Sequence, residues 1–395
     1  MAVTDLWLVP VYDRQGGDVL SMIIGLVRAL ELPGLLIAET ATPRFQHHLG
    51  WGRWLVMIGS SFPIYVLIPA WLRRGWRSRT PRKAPAVTVT DSQNAPAGAP
   101  QVAPTRRDLL LGTRRIVIAG AAGVAGYSLF GEIRRPETTY RSILIRDLPR
   151  PLHGLRIVQL TDIHHGPWTS LAYVRDVIAQ ANALQPDLMI LTGDYVHQSA
   201  VYIEPVVREL TALRGKIGVL ATLGNHDWWE DGQATIRAFA KTSIPLIDND
   251  RVFITGERTI ERQIGSSDEK SALCIAGVGD LWEGPPLYGP ALGGVPPAMP
   301  RLLLSHNPDV AEEPPLLKLN PRIDLMLSGH THGGQISFPF FGPVVTPSKY
   351  GKRYASGLVQ GPICPVYISR GIGTTIVPMR MRVRPEIAVI ELRQA

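Results

Sequence analysis

The chain reads as a mixed α/β protein, and three observations carry that reading. Apolar runs of strand length recur through its second half, segments of helical periodicity lie between them, and short strands broken by turn residues fill the stretch from 244 to 278. The runs at 155–160, 188–191, 219–222, 302–304 and 323–327 are continuously apolar, as strands covered on both faces are. Leu171, Val174, Ile178 and Ala181 then recur at helical spacing, predicting a helix over 171–184 that stops near Pro186 and packs on the sheet as a crossover. Segments 203–213 and 234–242 repeat that pattern, while 251–254 and 259–264 predict an antiparallel section. Cys274 lies in the apolar run 273–278 and reads as a buried thiol; with Cys364 as the only other cysteine, a single disulfide stays open and the compartment undecided.

The first third has a different character. Residues 54–72 carry no charge, have Trp54 and Trp71 near the ends, and are followed by Arg73, Arg74, Arg77, Arg79, Arg82 and Lys83, the pattern of a transmembrane helix with its C-terminal side in the cytoplasm. Residues 19–38 are similar in length but hold Arg28, Glu31 and Pro33, so they read either as a second span or as an interfacial helix. Residues 1–79 thus form a membrane region, and 80–115 a flexible basic linker rich in Pro, Ala, Thr and Ser. Arg106-Arg107 precede the apolar segment 116–131, which reads either as a twin-arginine export signal placed internally or as a short transmembrane helix. Both alternatives put the domain over 140–395 outside the cytoplasmic membrane, on the periplasmic side. The net charge of +8 lies largely beside these apolar segments, so it argues for a bilayer partner and against nucleic acid. Gly120, Gly123 and Gly126 lack the strand before and the Lys-Ser/Thr after that a phosphate loop needs.

Chemistry is concentrated just past the five apolar runs. Asp162-Ile163-His164, Gly193-Asp194, Gly224-Asn225-His226-Asp227, His306 and Gly329-His330-Thr331-His332 each follow one of them, at the strand ends where α/β sheets place their ligands. Two divalent cations about 3.5–4 Å apart need oxygen and nitrogen ligands, one carboxylate placed to bridge, and room for a phosphate. The two-residue spacing of Asp162 and His164 lets both reach one ion from a strand end, and that of His330 and His332 lets two imidazoles be divided between two ions.

These blocks, in this order, resemble the calcineurin-like metallophosphoesterase superfamily, whose pattern reads D-x-H, G-D-x-x-D, G-N-H-D/E, H, G-H-x-H; the resemblance covers roughly residues 150 to 395. It implies two mixed sheets face to face with helices outside. It also implies a ligand set: Asp162, His164, Asp194 and His332 on one metal, and Asp194, Asn225, His306 and His330 on the other, with Asp194 bridging. His226 is then the general acid facing the leaving group, and Asp227 orients its imidazole. The metals are manganese, zinc or iron. His197 stands where the family usually has Asp, and His165 has no counterpart in the pattern.

Further matches, Gly333-Gly334-Gln335-Ile336, Pro347-Ser348-Lys349-Tyr350-Gly351 and Ser369-Arg370-Gly371-Ile372-Gly373, resemble the bacterial membrane-associated or exported phosphodiesterases of the YkuE- and YaeI-like branch. Protein Ser/Thr phosphatases carry Asp-Arg-Gly after the second block, whereas here stands His197-Gln198-Ser199, which argues against that activity. The expected function is a membrane-anchored phosphodiesterase acting on a lipid-linked, cell-envelope or nucleotide-type phosphoester. Phe338-Pro339-Phe340-Phe341, just after His332, is a candidate apolar rim or else packs a loop onto the core. Two alternatives stay open: a pyrophosphatase of a UDP-linked acylated sugar on the cytoplasmic side, as some relatives of this branch are, and a membrane scaffold that binds metal without turnover.

Overall fold

A computed structural model describes residues 126–265 and 268–395, together with Gly120 and Gly123. The expected spans at 19–38 and 54–72, the linker and most of the segment 116–131 lie outside the described residues. Of that last segment the end forms a π-helical turn, Tyr127–Gly131, followed by a 3-10 turn, Glu132–Arg134. Among the described residues no helix is long and apolar enough to cross a membrane.

The domain begins with β1 (Glu137–Ile145), β2 (Leu155–Leu160), helix α1 (Leu171–Ala183) and β3 (Leu188–Thr192). Next come α2 (Ile203–Leu210), β4 (Gly218–Thr222) and α3 (Asn225–Ala240). A second group follows: β5 (Asp250–Ile254), β6 (Ile260–Glu261), β7 (Leu273–Gly277), α4 (Tyr288–Leu292), β8 (Arg301–Leu304), α5 (Pro314–Leu319) and β9 (Leu325–Ser328). A small hairpin, β10 (Ser337–Phe338) with β11 (Gly342–Pro343), precedes β12 (Gly357–Gln360), β13 (Pro365–Ile368) and β14 (Glu386–Gln394). One sheet has the order β1-β14-β2-β3-β4, the other β12-β13-β9-β8-β7-β5-β6. Both are mixed: β2, β3 and β4 are parallel and β14 runs against β2, while β13, β9, β8 and β7 are parallel and β12, β5 and β6 are antiparallel to their neighbours.

Alternation of side chains along the strands builds the layers. In β2, Ile157 points between the sheets, where it joins Leu188, Ile190 and Leu220 with Ile275, Leu302, Leu304, Leu325 and Leu327 of the other sheet. Its neighbour Val158 points the other way, against Val174, Val177 and Ile178 of α1 and Val206 and Leu210 of α2. On the far side of the second sheet Cys274, Leu303, Met326 and Val366 pack under α4 and α5. The order is therefore helix, sheet, sheet, helix, and it explains why the central strands are apolar on both faces. Cys274 is buried as expected, and both cysteines are free thiols.

The helices are set by local chemistry. The Ser170 hydroxyl accepts from Tyr173 N at 3.3 Å and starts α1, whose apolar stripe ends at Ala181. Helix α3 starts earlier than the expected 234, at Asn225, because Asp227 accepts from the backbone N–H of Gly224 at 2.9 Å and closes its first turn.

Candidate metal centre

The parallel strands β2, β3 and β4 of one sheet and β8 and β9 of the other deliver their C-terminal loops to one place. Three of these loops, those after β2, β3 and β9, bend sharply: Asp162, His164, Asp194, His330 and His332 all adopt left-handed backbone, with φ between 48° and 71°. Such a conformation costs a side-chain-bearing residue on the order of 1–2 kcal/mol. Bonds between the two loops hold it in place, from His164 N to Asp194 O at 2.9 Å and from His165 N to Tyr195 O at 2.8 Å. Two glycines make room: a Cβ on Gly224 would meet Asp194 Oδ1 at 2.3 Å, and one on Gly329 would meet Asp162 Oδ2 at 2.2 Å.

Two groups of buried side chains result. In the first, His332 Nε2 lies 3.2 Å from Asp162 Oδ1 and 3.0 Å from His164 Nε2. In the second, His306 Nε2 lies 3.1 Å from Asp194 Oδ2 and 3.2 Å from His330 Nδ1. Asp194 Oδ2 also stands 3.5 Å from His164 Nε2, so this one carboxylate faces both groups. Each group, Asp162-His164-His332 and Asp194-His306-His330, has its donor atoms close enough to hold a metal ion. Asn225 Oδ1 and His330 Nε2 are buried and have no hydrogen-bond partner among the described residues. Lone pairs aimed at one another, with buried oxygen and nitrogen atoms unsatisfied, are what a cation site looks like in terms of its protein atoms.

Burial and the facing donors set the charge on each of these groups. Burial works to raise the Asp194 and Asp162 carboxyls, but the facing imidazoles, His306 for the first and His332 for the second, bring both below the usual range. Burial opposes charge on His306 as well, yet Asp194 outweighs it and raises that imidazole to about 10. Burial lowers His330 to about 3, assisted by His306, and lowers His332 to about 4 against the pull of Asp162. Both are neutral near pH 7, the form that donates a lone pair to a metal.

Beside these groups, His226 N donates to Asp194 Oδ1 at 2.8 Å, and its ring meets the His164 ring edge-on at 4.6 Å. Asp227 is the residue expected to orient this imidazole. Its carboxylate instead accepts from the backbone N–H groups of Asp194 (2.8 Å), Tyr195 (2.8 Å) and Gly224 (2.9 Å), pinning the second and third loops together. The ring nitrogen Nδ1 of His226 is met by Nδ1 of His197 at 3.3 Å. His197, whose position in the pattern had no assignment, is thus the residue that meets this ring nitrogen. His165 is tied to the Thr169 carbonyl at 2.8 Å through Nδ1 and packs edge-on against Tyr202, which makes it part of the loop's own structure.

Two further features carried no signal in the sequence. Arg380 is fully buried, donates to Gly373 O at 2.6 Å and Arg370 O at 2.8 Å, and reaches His332 Nδ1 at 3.2 Å; among the four arginines between 370 and 384 nothing marked it. Trp229 and Trp282 stand over His226 and His330. Phe338, Phe340 and Phe341 are exposed and do not pack on the core.

The fold and these two groups define a metal-dependent phosphoric ester hydrolase, and the chain belongs to the calcineurin-like phosphoesterase family, whose model matches residues 155–334. It is similar to the uncharacterized metallophosphoesterase YkuE of Bacillus subtilis, with 36% identity over 73% of this chain and 98% of that protein. It is likewise similar to the phosphodiesterase YaeI of Escherichia coli, at 31% identity over 72% of this chain and all of the relative (100%). The UDP-2,3-diacylglucosamine pyrophosphatase LpxG of Chlamydia trachomatis is 29% identical over 56% of this chain and 79% of its own.

Proposed function

We propose that the chain is a membrane-anchored phosphodiesterase with a dinuclear metal centre. Asp162, His164 and His332 would hold one ion, Asn225, His306 and His330 the other, with Asp194 shared between them. One observation carries this: a single oxygen, Asp194 Oδ2, lies 3.5 Å from an imidazole nitrogen of one group and 3.1 Å from one of the other. Manganese, zinc or iron bound there would polarise a phosphate ester and make hydroxide available near neutral pH. The mixed Asp, Asn and His donors suit all three.

The residues around the centre then divide the remaining work. His226, with Nδ1 engaged by His197, keeps Nε2 for the departing oxygen and gives it a proton. Asp227 fixes the loops that carry Asp194 and His226 and does not itself meet the substrate. Arg380 braces His332 from behind. A phosphodiester or pyrophosphate fits a site whose acid stands beside, not within, the two ligand groups.

Membrane anchoring rests on the uncharged stretch 54–72 and the arginines after it, with the catalytic domain on the periplasmic side. A lipid-linked, cell-envelope or nucleotide-type phosphoester is the substrate class, the exposed phenylalanines after His332 supporting its lipid-linked form. A second reading, a UDP-acylsugar pyrophosphatase on the cytoplasmic side, is favoured by the likeness to LpxG.

The test of the centre is Asp194→Ala. Manganese-loaded protein is expected to hydrolyse a generic aryl phosphodiester, and the variant to lose metal and turnover together. Full metal content with full activity in Asp194→Ala would falsify the shared ligand. Protease accessibility in spheroplasts decides the side of the membrane. Phe340→Ser is expected to weaken turnover of a phospholipid diester and spare a small ester.

A further inference from the structure

Two tryptophans stand close together and nearly parallel at the mouth of the metal centre. Trp229, in the first turns of α3, meets the His226 ring at 4.6 Å, and Trp282, in the turn before α4, meets the His330 ring at 4.4 Å and 87°. The indoles lie 6.0 Å apart and only 28° from parallel. Each keeps nearly half of its surface in water, 44% for Trp229 and 45% for Trp282. Exposed aromatic area of this size, fixed next to a reactive centre, is a recognition feature more than a packing one.

Both rings are held in place. The Trp229 Nε1–H donates to Glu283 Oε1 at 2.6 Å, and the turn that carries Trp282 is tied by Asp280 Oδ2, which accepts from Trp282 N at 2.8 Å and Glu283 N at 3.0 Å. A pre-set pair of rings loses little freedom when it binds. It offers contact on one side only, however, so a flexible acyl chain laid on it would stay half in water and still lose rotamer freedom. A rigid flat ring meets the exposed indole surface and loses almost none.

From this we infer that Trp229 and Trp282 form a stacking subsite for a flat aromatic ring, of the nucleobase kind, attached to the phosphoester. The inference rests on the reading above, in which phosphorus sits between the two ligand groups beside His226. It specifies the nucleotide-type substrate and gives the tryptophans the role of specificity residues. The ring would lie against the indoles while its phosphate reaches the centre.

Calorimetric titration of the manganese-loaded full chain in detergent tests it, with AMP, ribose 5-phosphate and dodecyl phosphate as probes. Stacking predicts that AMP binds roughly tenfold more tightly than ribose 5-phosphate. Trp282→Ala should remove that margin while ribose 5-phosphate binding changes less than about twofold; Trp282→Phe, which keeps a π-face, should retain most of it. Manganese content is measured in every sample, and Trp229→Ala gives the same reading should Trp282→Ala lose metal. Equal binding of AMP and ribose 5-phosphate overturns the subsite, as does a margin untouched by both alanine variants. So does tighter binding of dodecyl phosphate than of AMP that falls with Trp282→Ala. Turnover of bis(p-nitrophenyl) phosphate is scored separately, so failure of the phosphodiesterase reading is distinguishable from failure of the stacking subsite.

Discussion

His226 and Asp227 are neighbours in sequence, and the proposed mechanism gives them opposite roles that can be measured apart. In the proposed mechanism His226 touches only the departing oxygen, so His226→Ala should keep metal content and melting temperature while losing on the order of 10²–10⁴-fold in kcat on an ester with a poor leaving group. Near-normal turnover of such an ester would remove the acid role. Asp227→Ala strands three buried backbone donors, each costing about 1–3 kcal/mol, so melting temperature and activity should fall together. For His197→Ala the expected loss in kcat is about 10- to 100-fold with metal retained, because it removes the partner of His226 Nδ1. A variant indistinguishable from the parent on a poor leaving group would show that this contact is structural only.

Among the secondary-structure elements, the informative one is β14. It is inserted between β1 and β2, parallel to the first and antiparallel to the second, and its first residue anchors a polar cluster. Buried Glu386 accepts from Tyr367 OH at 2.6 Å, Thr139 Oγ1 at 2.5 Å and Arg370 N at 2.9 Å. Burial pushes its carboxyl up, but the Arg370 guanidinium and these donors prevail and hold it below the ordinary range. A depressed carboxyl gives stability that is complete above its unfolded value, about 4.3, and is lost as pH falls through the folded one. Glu386→Gln should therefore cost about 2 kcal/mol at pH 7. That gap in thermal stability should narrow as pH drops from about 5 towards 3; a gap that is constant with pH would exclude the charge as its source.

What the sequence disclosed about elements follows burial. The central strands β2, β3, β4, β8 and β9 stand out because both faces are covered, and their boundaries fall within two residues of the expected ones. β1 gave no such signal because most of its residues are half or fully exposed. β14 is apolar enough, but nothing local indicates that it pairs with strands far upstream. The first half of α3, Asn225 to Asp231, lacks an apolar stripe because it faces the metal centre and not the sheet. At the site, the side chains that the fold gathers into two groups were legible from spacing and order. The Asp227 amide clamp, the His197–His226 contact, Arg380 and the tryptophan pair depend on loops meeting in space, which no spacing records.

For the whole molecule, the two donor groups draw on both sheets: Asp162, His164 and Asp194 follow strands of one, His306, His330 and His332 strands of the other. An ion held by both links the halves and stabilises only the folded state. Exhaustive chelation is therefore expected to lower the melting temperature of the full chain by roughly 10 °C, as about 4 kcal/mol of binding linkage would in a domain of this size. Readdition of manganese should restore it. An unchanged midpoint, with metal loss verified by elemental analysis, would mean that these donors hold no ion of consequence.

The position of β14 also sets a schedule. Thr139 and Glu386 are in contact although 247 residues separate them. A ribosome adding about 5–20 residues per second leaves β1 and the adjoining edge of β2 without their partner for roughly 10–50 seconds. During that interval the first sheet has two unpaired edges, and the loop with Gly371 and Gly373 that backs Asp162 has not been made. The metal centre is thus among the last parts of the domain to become complete, and the nascent chain spends most of its synthesis unable to perform the chemistry it is built for.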